Sequence, residues 1–312
     1  MSNYIGFDTS NYTTSVAVYN SENNEIIQKK QLLPVKSGEK GLRQSDAVFH
    51  HTVQLPLLVK ELFDGYNCNI YGVGVSFAPT TEEGSYMPCF LAGISAAQTA
   101  ASTNSVELYK FSHQQGHIAA VLFAGGREDL FEKEFLAFHL SGGTTQGLFV
   151  KPDNNKILDI ELISDSLDLK AGQAVDRVGL MLGLDFPCGK ELDRLAQKSE
   201  KRFIIKPSMK EGNCSLSGIE NKCRKMLEDG EKNEDIARFC IESIVASVDA
   251  MAQSLFATYG DLPLVFSGGV SSNSILQKHF SEKYDCVFAS PEFCCDNAAG
   301  IAYLTYLKNN RN

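Results

Sequence analysis

Two histidines stand four residues apart, His113 and His117, in the stretch Phe111-Ser112-His113-Gln114-Gln115-Gly116-His117-Ile118-Ala119-Ala120. On a helix both rings leave the same face, one turn apart. Neutral imidazoles in that register can hold one transition metal: zinc, iron, copper or nickel. A helix also carries two polar histidines for no chemical reason, so a third ligand has to decide. Asp296 is the candidate. It opens Asp296-Asn297-Ala298-Ala299-Gly300, where it reads either as a helix N-cap or as the carboxylate completing a His-His-Asp site. Three protein ligands leave positions open for substrate, which is the pattern of a catalytic metal.

Three further segments share one form, a strand followed by small residues and then a turn or helix: Asp8-Thr9-Ser10, Ser141-Gly142-Gly143-Thr144 and Ser267-Gly268-Gly269-Val270. Glycines let backbone N–H groups come close to an anion, and a helix N-terminus adds a favourable dipole. Tight turns need glycine as well, and none of the three has Walker or Rossmann spacing. Together they favour a nucleotide-phosphate cleft between lobes. Asp8 and Ser10 are the candidate catalytic residues. Ser141, Gly142, Gly143, Gly268 and Gly269 are the candidate substrate-binding ones. Asp168 stands before a helix and Asp176 inside it; Asp176 reads either as a surface charge or as a carboxylate holding a ribose or substrate hydroxyl. Gly189, in the turn Asp185-Phe186-Pro187-Cys188-Gly189, would let backbone approach a ligand.

Positioning these residues takes an alternation of strands and helices. Apolar patterning predicts strands over 4–10, 15–19 and 25–29, a helix over 45–63, a strand over 71–76, a loop over 78–88, a helix over 91–103 and a strand over 106–109. Strands over 135–140, 147–150 and 157–163 then repeat the opening hairpin, with Thr144-Thr145 echoing Thr13-Thr14. This reads as an internal duplication, one copy per lobe. Helices follow over 171–182, 190–197, 216–227 and 234–259, then strands over 263–266 and 286–288 around another helix, and a terminal helix over 297–308. The expected fold is α/β and two-lobed. Residues 1–110 form one lobe, with the terminal helix at 297–312 packing back on it, and 111–296 form the other.

At 312 residues, 43% hydrophobic and 21% charged, the composition is that of a globular protein. No run reads as long and apolar enough to span a bilayer, and Met1-Ser2-Asn3-Tyr4 is no signal peptide. The expected location is the cytoplasm, with no membrane partner and with the nine cysteines reduced. A net charge of −9 opposes general nucleic-acid binding. The basic residues Lys201, Arg202, Lys206, Lys210, Lys222, Arg224 and Lys225 read as a solvated face, and an RNA delivered by a partner stays open.

In order, the motifs are His113-x-x-x-His117, Ser141-Gly142-Gly143, Ala171-Gly172 with Asp176, and Leu182-Gly183-Leu184-Asp185-Phe186-Pro187. Ser215-Leu216-Ser217-Gly218, Ser267-Gly268-Gly269-Val270 with Asn273, and Cys295-Asp296-Asn297-Ala298 follow. Nearly the whole chain thereby resembles the family of the universal tRNA threonylcarbamoyladenosine synthase subunit, once labelled glycoprotease or O-sialoglycoprotein endopeptidase. The resemblance implies the actin and sugar-kinase fold and acyl transfer from threonylcarbamoyl-adenylate to the N6 amine of an adenosine in tRNA. It implies one divalent metal, iron or zinc, on His113, His117 and Asp296. It places Gly142, Gly143, Asp176, Gly189 and Asn273 around the adenylate, and it implies a paralogous subunit and an ATPase as partners.

The chain also departs from the family. The family's Glu-Thr-Ser-Cys-Asp-Glu-Thr is here Asp8-Thr9-Ser10-Asn11-Tyr12-Thr13-Thr14, without two acidic side chains. Thr144 replaces the histidine of Ser-Gly-Gly-His-Thr. The Gly-Pro-Gly loop is replaced by residues 78–88, Val48 stands for a usual arginine, and His50 occupies the family's histidine position. The chain thus reads as a divergent branch, with a nucleotide-binding regulator or scaffold of the same complex as the alternative. A small-molecule kinase fits the loops but needs no histidine pair. A zinc peptidase needs the glutamate of His-Glu-x-x-His, and Gln114 stands there instead.

Overall fold

The computed structural model describes residues 2–10, 12–34, 42–64, 68–290, 293 and 298–311. Along the chain come β1 (Asn3–Asp8), β2 (Thr13–Asn20), β3 (Glu25–Leu32), α1 (Gln44–Phe63), β4 (Ile70–Ala78), α2 (Phe90–Asn104), β5 (Leu108–Ser112) and α3 (His113–Ala124). Then follow β6 (Phe135–Leu140), β7 (Thr145–Asp153), β8 (Ile157–Asp165), α4 (Ala171–Met181), α5 (Gly189–Ala196), β9 (Ser208–Lys210), β10 (Asn213–Ser215), α6 (Ser217–Glu228) and α7 (Asn233–Tyr259). The chain ends with β11 (Leu264–Ser267), α8 (Ser274–Lys283), β12 (Cys286–Phe288) and α9 (Ala299–Arg311).

Two compact units form. The first holds Met1–Phe131, Pro152–Asp159 and Cys295–Asn312, the second Glu132–Lys151 and Ile160–Cys294. The first unit carries a sheet of order β3-β2-β1-β4-β5, with β1 antiparallel to β2 and parallel to β4. Strand side chains alternate between faces. In β1, Ile5 and Phe7 pack with Leu55, Leu58 and Leu62 of α1 and Ala97 and Ala101 of α2. The intervening Gly6 and Asp8 face the other way. A Cβ on Gly6 would collide with the backbone of Ala298 and Ala302, and one on Gly74 with Thr305, so α9 lies directly on the strands.

In the second unit the order β12-β11-β6-β7-β8 repeats the first sheet's, with β6 antiparallel to β7 and parallel to β11. The duplication read from the paired hairpins is therefore topological as well. Leu136, Phe138 and Leu140 of β6 pack against Ile241, Ile244, Val248 and Met251 of α7. Each such buried side chain stabilises the fold by about 1.5–3 kcal/mol.

Three sequence expectations change. Helix α7 has 27 residues and a window of mean hydropathy 1.3, long and apolar enough by those measures to cross a bilayer. Its apolarity has a local cause, because Ile236, Cys240, Ile241, Ile244, Val248 and Met251 are core residues. The strand expected over 106–109 runs Leu108–Ser112 and delivers the chain directly into α3. The hairpin β9–β10 was not foreseen, since three-residue strands are too short to show a period.

Candidate functional site

The histidine pair sits on the first turn of α3, and that turn is held from both sides. Ser112 caps the helix: its hydroxyl accepts from the Gln115 N–H at 3.2 Å, while Gln115 Oε1 accepts from the Ser112 N–H at 2.8 Å. The Gln115 amide nitrogen donates onward to the carbonyls of Lys156 and Leu158, at 2.9 and 2.8 Å. Behind the turn, a Cβ on Gly300 would collide with the Gly116 carbonyl, so α3 and α9 meet backbone to backbone. The rings of His113 and His117 lie 4.3 Å apart, centroid to centroid, at 72°.

Asp8 joins them from the end of β1. Its Oδ2 lies 2.6 Å from His113 Nδ1, and its Oδ1 accepts the Ser10 N–H at 2.8 Å. The carboxylate is wholly buried and the histidine side chain 18% exposed. A carboxylate only accepts, so Nδ1 of His113 donates to Asp8, and on a neutral ring the lone pair falls on Nε2. A carboxylate on one ring nitrogen, which sets the other for a metal, is the usual second partner of a metal-binding histidine. The chemistry of this donor group fits a transition metal. Asp296, expected as third ligand, lies outside the described residues. Among the described residues no group of three His, Cys, Asp or Glu side chains is arranged for a metal.

A further histidine of the first unit, next to His50, was not singled out from the sequence. His51, not His50, is fully buried. Its Nδ1 lies 2.8 Å from Thr14 Oγ1, and the Thr14 hydroxyl donates to Gln54 Oε1 at 2.7 Å. Burial lowers the His51 pKa to about 4, against a smaller upward pull from Asp8.

The second unit carries the substrate-binding candidates, with the two glycine loops at the ends of β6 and β11. Ser141 closes its own turn, its hydroxyl accepting from the N–H groups of Gly143 and Thr144 at 3.3 and 3.1 Å. Its carbonyl accepts from Gly172 N–H at 3.0 Å. A Cβ on Gly172 would press against Gly142, while one on Gly142 or Gly143 would meet nothing within 4 Å. The loop is therefore seated on the N-terminus of α4 with its outer side open. Gly268 has φ +87°, and a Cβ there would collide with the Leu140 carbonyl. Its glycine is required by the fold, with or without a ligand. Gly269 opens the short 3-10 turn Gly269–Ser272, and a Cβ there would meet nothing within 4 Å.

Asp176 is no surface charge. Half-buried on α4, it accepts the Cys188 N–H at 2.9 Å, and burial raises its pKa. That bond ties α4 to the start of α5 at Gly189. Asn273 caps α8, its Oδ1 accepting from Ile275 and Leu276 N–H at 3.0 Å each. Its amide nitrogen donates to Asp193 at 3.0 Å, and Asp193 also accepts from the Ser274 N–H and hydroxyl. Sequence reasoning missed Asp193, which carries no local motif. Asp168 stands before α4, as the sequence reading has it, and its carboxylate accepts from Leu216 N–H and the Ser217 hydroxyl at the start of α6. Burial pushes the Asp168 carboxyl up, but these hydrogen bonds outweigh it and its pKa falls. Lys201 pairs with Glu231 and Asp235, and Arg224 with Glu220, in keeping with a solvated face. A groove of about 1030 Å³ between α7 and α8 is lined by Arg238, Glu242, Asp249 and Lys278, and takes in none of the candidate residues.

Comparison with known proteins bears on the fold and the family. Among solved structures, component A of (R)-2-hydroxyglutaryl-CoA dehydratase from Acidaminococcus fermentans superposes with TM-score 0.58 at 15% identity, covering 99% of this chain and 100% of that one. Full-length HypF gives 0.61 at 14% identity, over 98% and 55%. A ROK family glucokinase from Streptomyces griseus gives 0.54 at 10%, over 98% and 99%. These likenesses establish the actin and sugar-kinase-like α/β fold. A protein from Thermosipho africanus is 30% identical over 323 residues, spanning 97% of this chain and 93% of its own length. One from Sulfurihydrogenibium sp. is 30% identical over 313 residues, spanning 97% and 89%. Both are named tRNA N6-adenosine threonylcarbamoyltransferase, an acyltransferase. A family model of that same description matches residues 25–303. With most of its length so matched, the chain belongs to the tRNA N6-adenosine threonylcarbamoyltransferase family.

Proposed function

We propose that this chain transfers the threonylcarbamoyl group from threonylcarbamoyl-adenylate to N6 of an adenosine in tRNA. The observation that carries the reading is Asp8 on His113 Nδ1, beside His117 on a capped helix turn. A carboxylate-oriented imidazole next to a second imidazole is what a metal-assisted transferase needs. His113, His117 and Asp296 would hold one divalent ion, iron or zinc. When bound, that ion supplies a Lewis acid for the carbonyl under attack.

The remaining work belongs to the chain. The open loop at Gly142 and Gly143, at the N-terminus of α4, would present backbone to the adenylate phosphate. Asp176, Gly189, Gly268, Gly269 and Asn273 would shape the nucleoside side. In the reaction the adenosine N6 attacks the carbamoyl carbon, the bond from that carbon to the phosphate oxygen breaks, and AMP leaves. The adenosine amine gives up one proton, which goes to the leaving AMP phosphate or to solvent.

Partners belong to the reading too. Phe49, Val53 and Leu57 are 63%, 51% and 56% exposed. At i, i+4 and i+8 on α1 they make one apolar stripe, which suits a helical face of a paralogous subunit. An ATPase and the tRNA would join through that complex.

The test is purified protein with threonylcarbamoyl-adenylate and tRNA, with and without partner proteins. Modified adenosine should form, and should disappear in His117→Ala together with bound metal. Nucleotide binding without transfer under every condition would favour the regulatory alternative.

A further inference from the structure

We propose that His51 is a further residue of the first unit's site, its Nε2 set to accept a hydrogen bond from a neutral hydroxyl or amide N–H of the bound acyl donor. The inference rests on the donor named above. Its first support is a tautomer fixed by neighbours. The Thr14 hydroxyl has one proton, which goes to Gln54 Oε1, and the Gln54 amide nitrogen is oriented by the Leu32 carbonyl. At 2.8 Å Thr14 Oγ1 must therefore accept from His51 Nδ1–H, and the lone pair falls on Nε2.

The second support is burial. His51 is 0% exposed, and its Nε2 has no hydrogen-bond partner. Proteins rarely leave a buried acceptor unmatched without a use for it. The third is a like case in the same unit: Ser10 Oγ, two residues after Asp8, is also buried and unmatched. Among the described residues no three ligands converge for a metal. A neutral imidazole there suits a neutral donor, and the threonylcarbamoyl group offers two, its side-chain hydroxyl and its carbamoyl N–H.

The experiment measures binding by calorimetry. Its probes are a non-hydrolysable sulfamoyl analogue of threonylcarbamoyl-adenylate and the valyl counterpart, in which a methyl replaces the hydroxyl. His51→Asn keeps a donor toward Thr14 and removes the Nε2 acceptor; His51→Gln places an amide oxygen where Nε2 was. His51→Asn should weaken the threonyl analogue about three- to tenfold, and His51→Gln should restore most of that. If the hydroxyl is the group received, the valyl analogue is weaker on wild type and indifferent to His51→Asn. If the carbamoyl N–H is received, both analogues lose equally. On the wild-type protein, ring ¹⁵N resonances should show a bare Nε2 that shifts when the threonyl analogue is added. An Nε2–H tautomer, an unmoved resonance, or equal affinity of wild type and His51→Asn overturns the inference alone. Failure of wild type to bind either analogue overturns the functional reading, and this inference with it.

Discussion

A carboxylate touching an imidazole can remove its proton or hold the ring in one tautomer, and at Asp8 burial beside a 2.6 Å contact favours holding. Asp8→Asn should lower metal affinity about 10- to 100-fold, as loss of such partners commonly does; unchanged affinity in a metal titration would sink the role. His51 makes a second prediction. Its folded pKa of about 4 lies below the ordinary 6.5, so between those values the unfolded chain binds more protons. Stability should therefore fall as pH drops from 6.5 toward 4, by on the order of 3 kcal/mol. Urea midpoints against pH should show this limb in wild type and lose it in His51→Asn. Sequence named Asp8 and the histidine pair. It could not tell that Asp8 serves His113, 105 residues away. Nor did it single out His51, because adjacent helical residues point about 100° apart and which of them is buried belongs to the sheet beneath.

At the scale of elements, the helix that bears the pair is positioned by a cap and a crossing. The cap was readable: Ser112-x-x-Gln115 is a capping-box pattern. The crossing was not, for Gly116 and Gly300 are unremarkable until α3 and α9 meet. Gly300→Ala should destabilise the protein by about 1–3 kcal/mol through overpacking, seen as a lower midpoint in chemical unfolding, and should weaken metal binding at the same time. An unchanged midpoint would mean the helices separate freely. In the second unit, Asp193→Ala removes the acceptor shared by Asn273 and Ser274 at the start of α8. A loss of about 1 kcal/mol with weakened adenylate binding is expected, and loss of stability alone would mark Asp193 as purely structural.

At the scale of the molecule, the surface carries what the site does not. With a net charge of −9, the chain alone should hold tRNA weakly and with strong salt dependence. The apolar stripe on α1 gives the corresponding partner prediction. Phe49→Asp with Leu57→Asp should abolish co-purification with a paralogous subunit and leave the fold's stability within about 0.5 kcal/mol, as surface changes do.

The repeated pattern of hairpin, helix and strand determined two sheets of like order, because the period of apolar residues is a local property of the chain. The residue types of the two site regions were local too. What only the tertiary structure decided was pairing: Asp8 with His113, Thr14 with His51, Asp193 with Asn273, and the glycine crossing under α3. Hydrogen bonds between residues far apart in the chain, and the close approach of two backbones, leave no periodic trace in sequence. They exist only once each unit has folded on its own sheet.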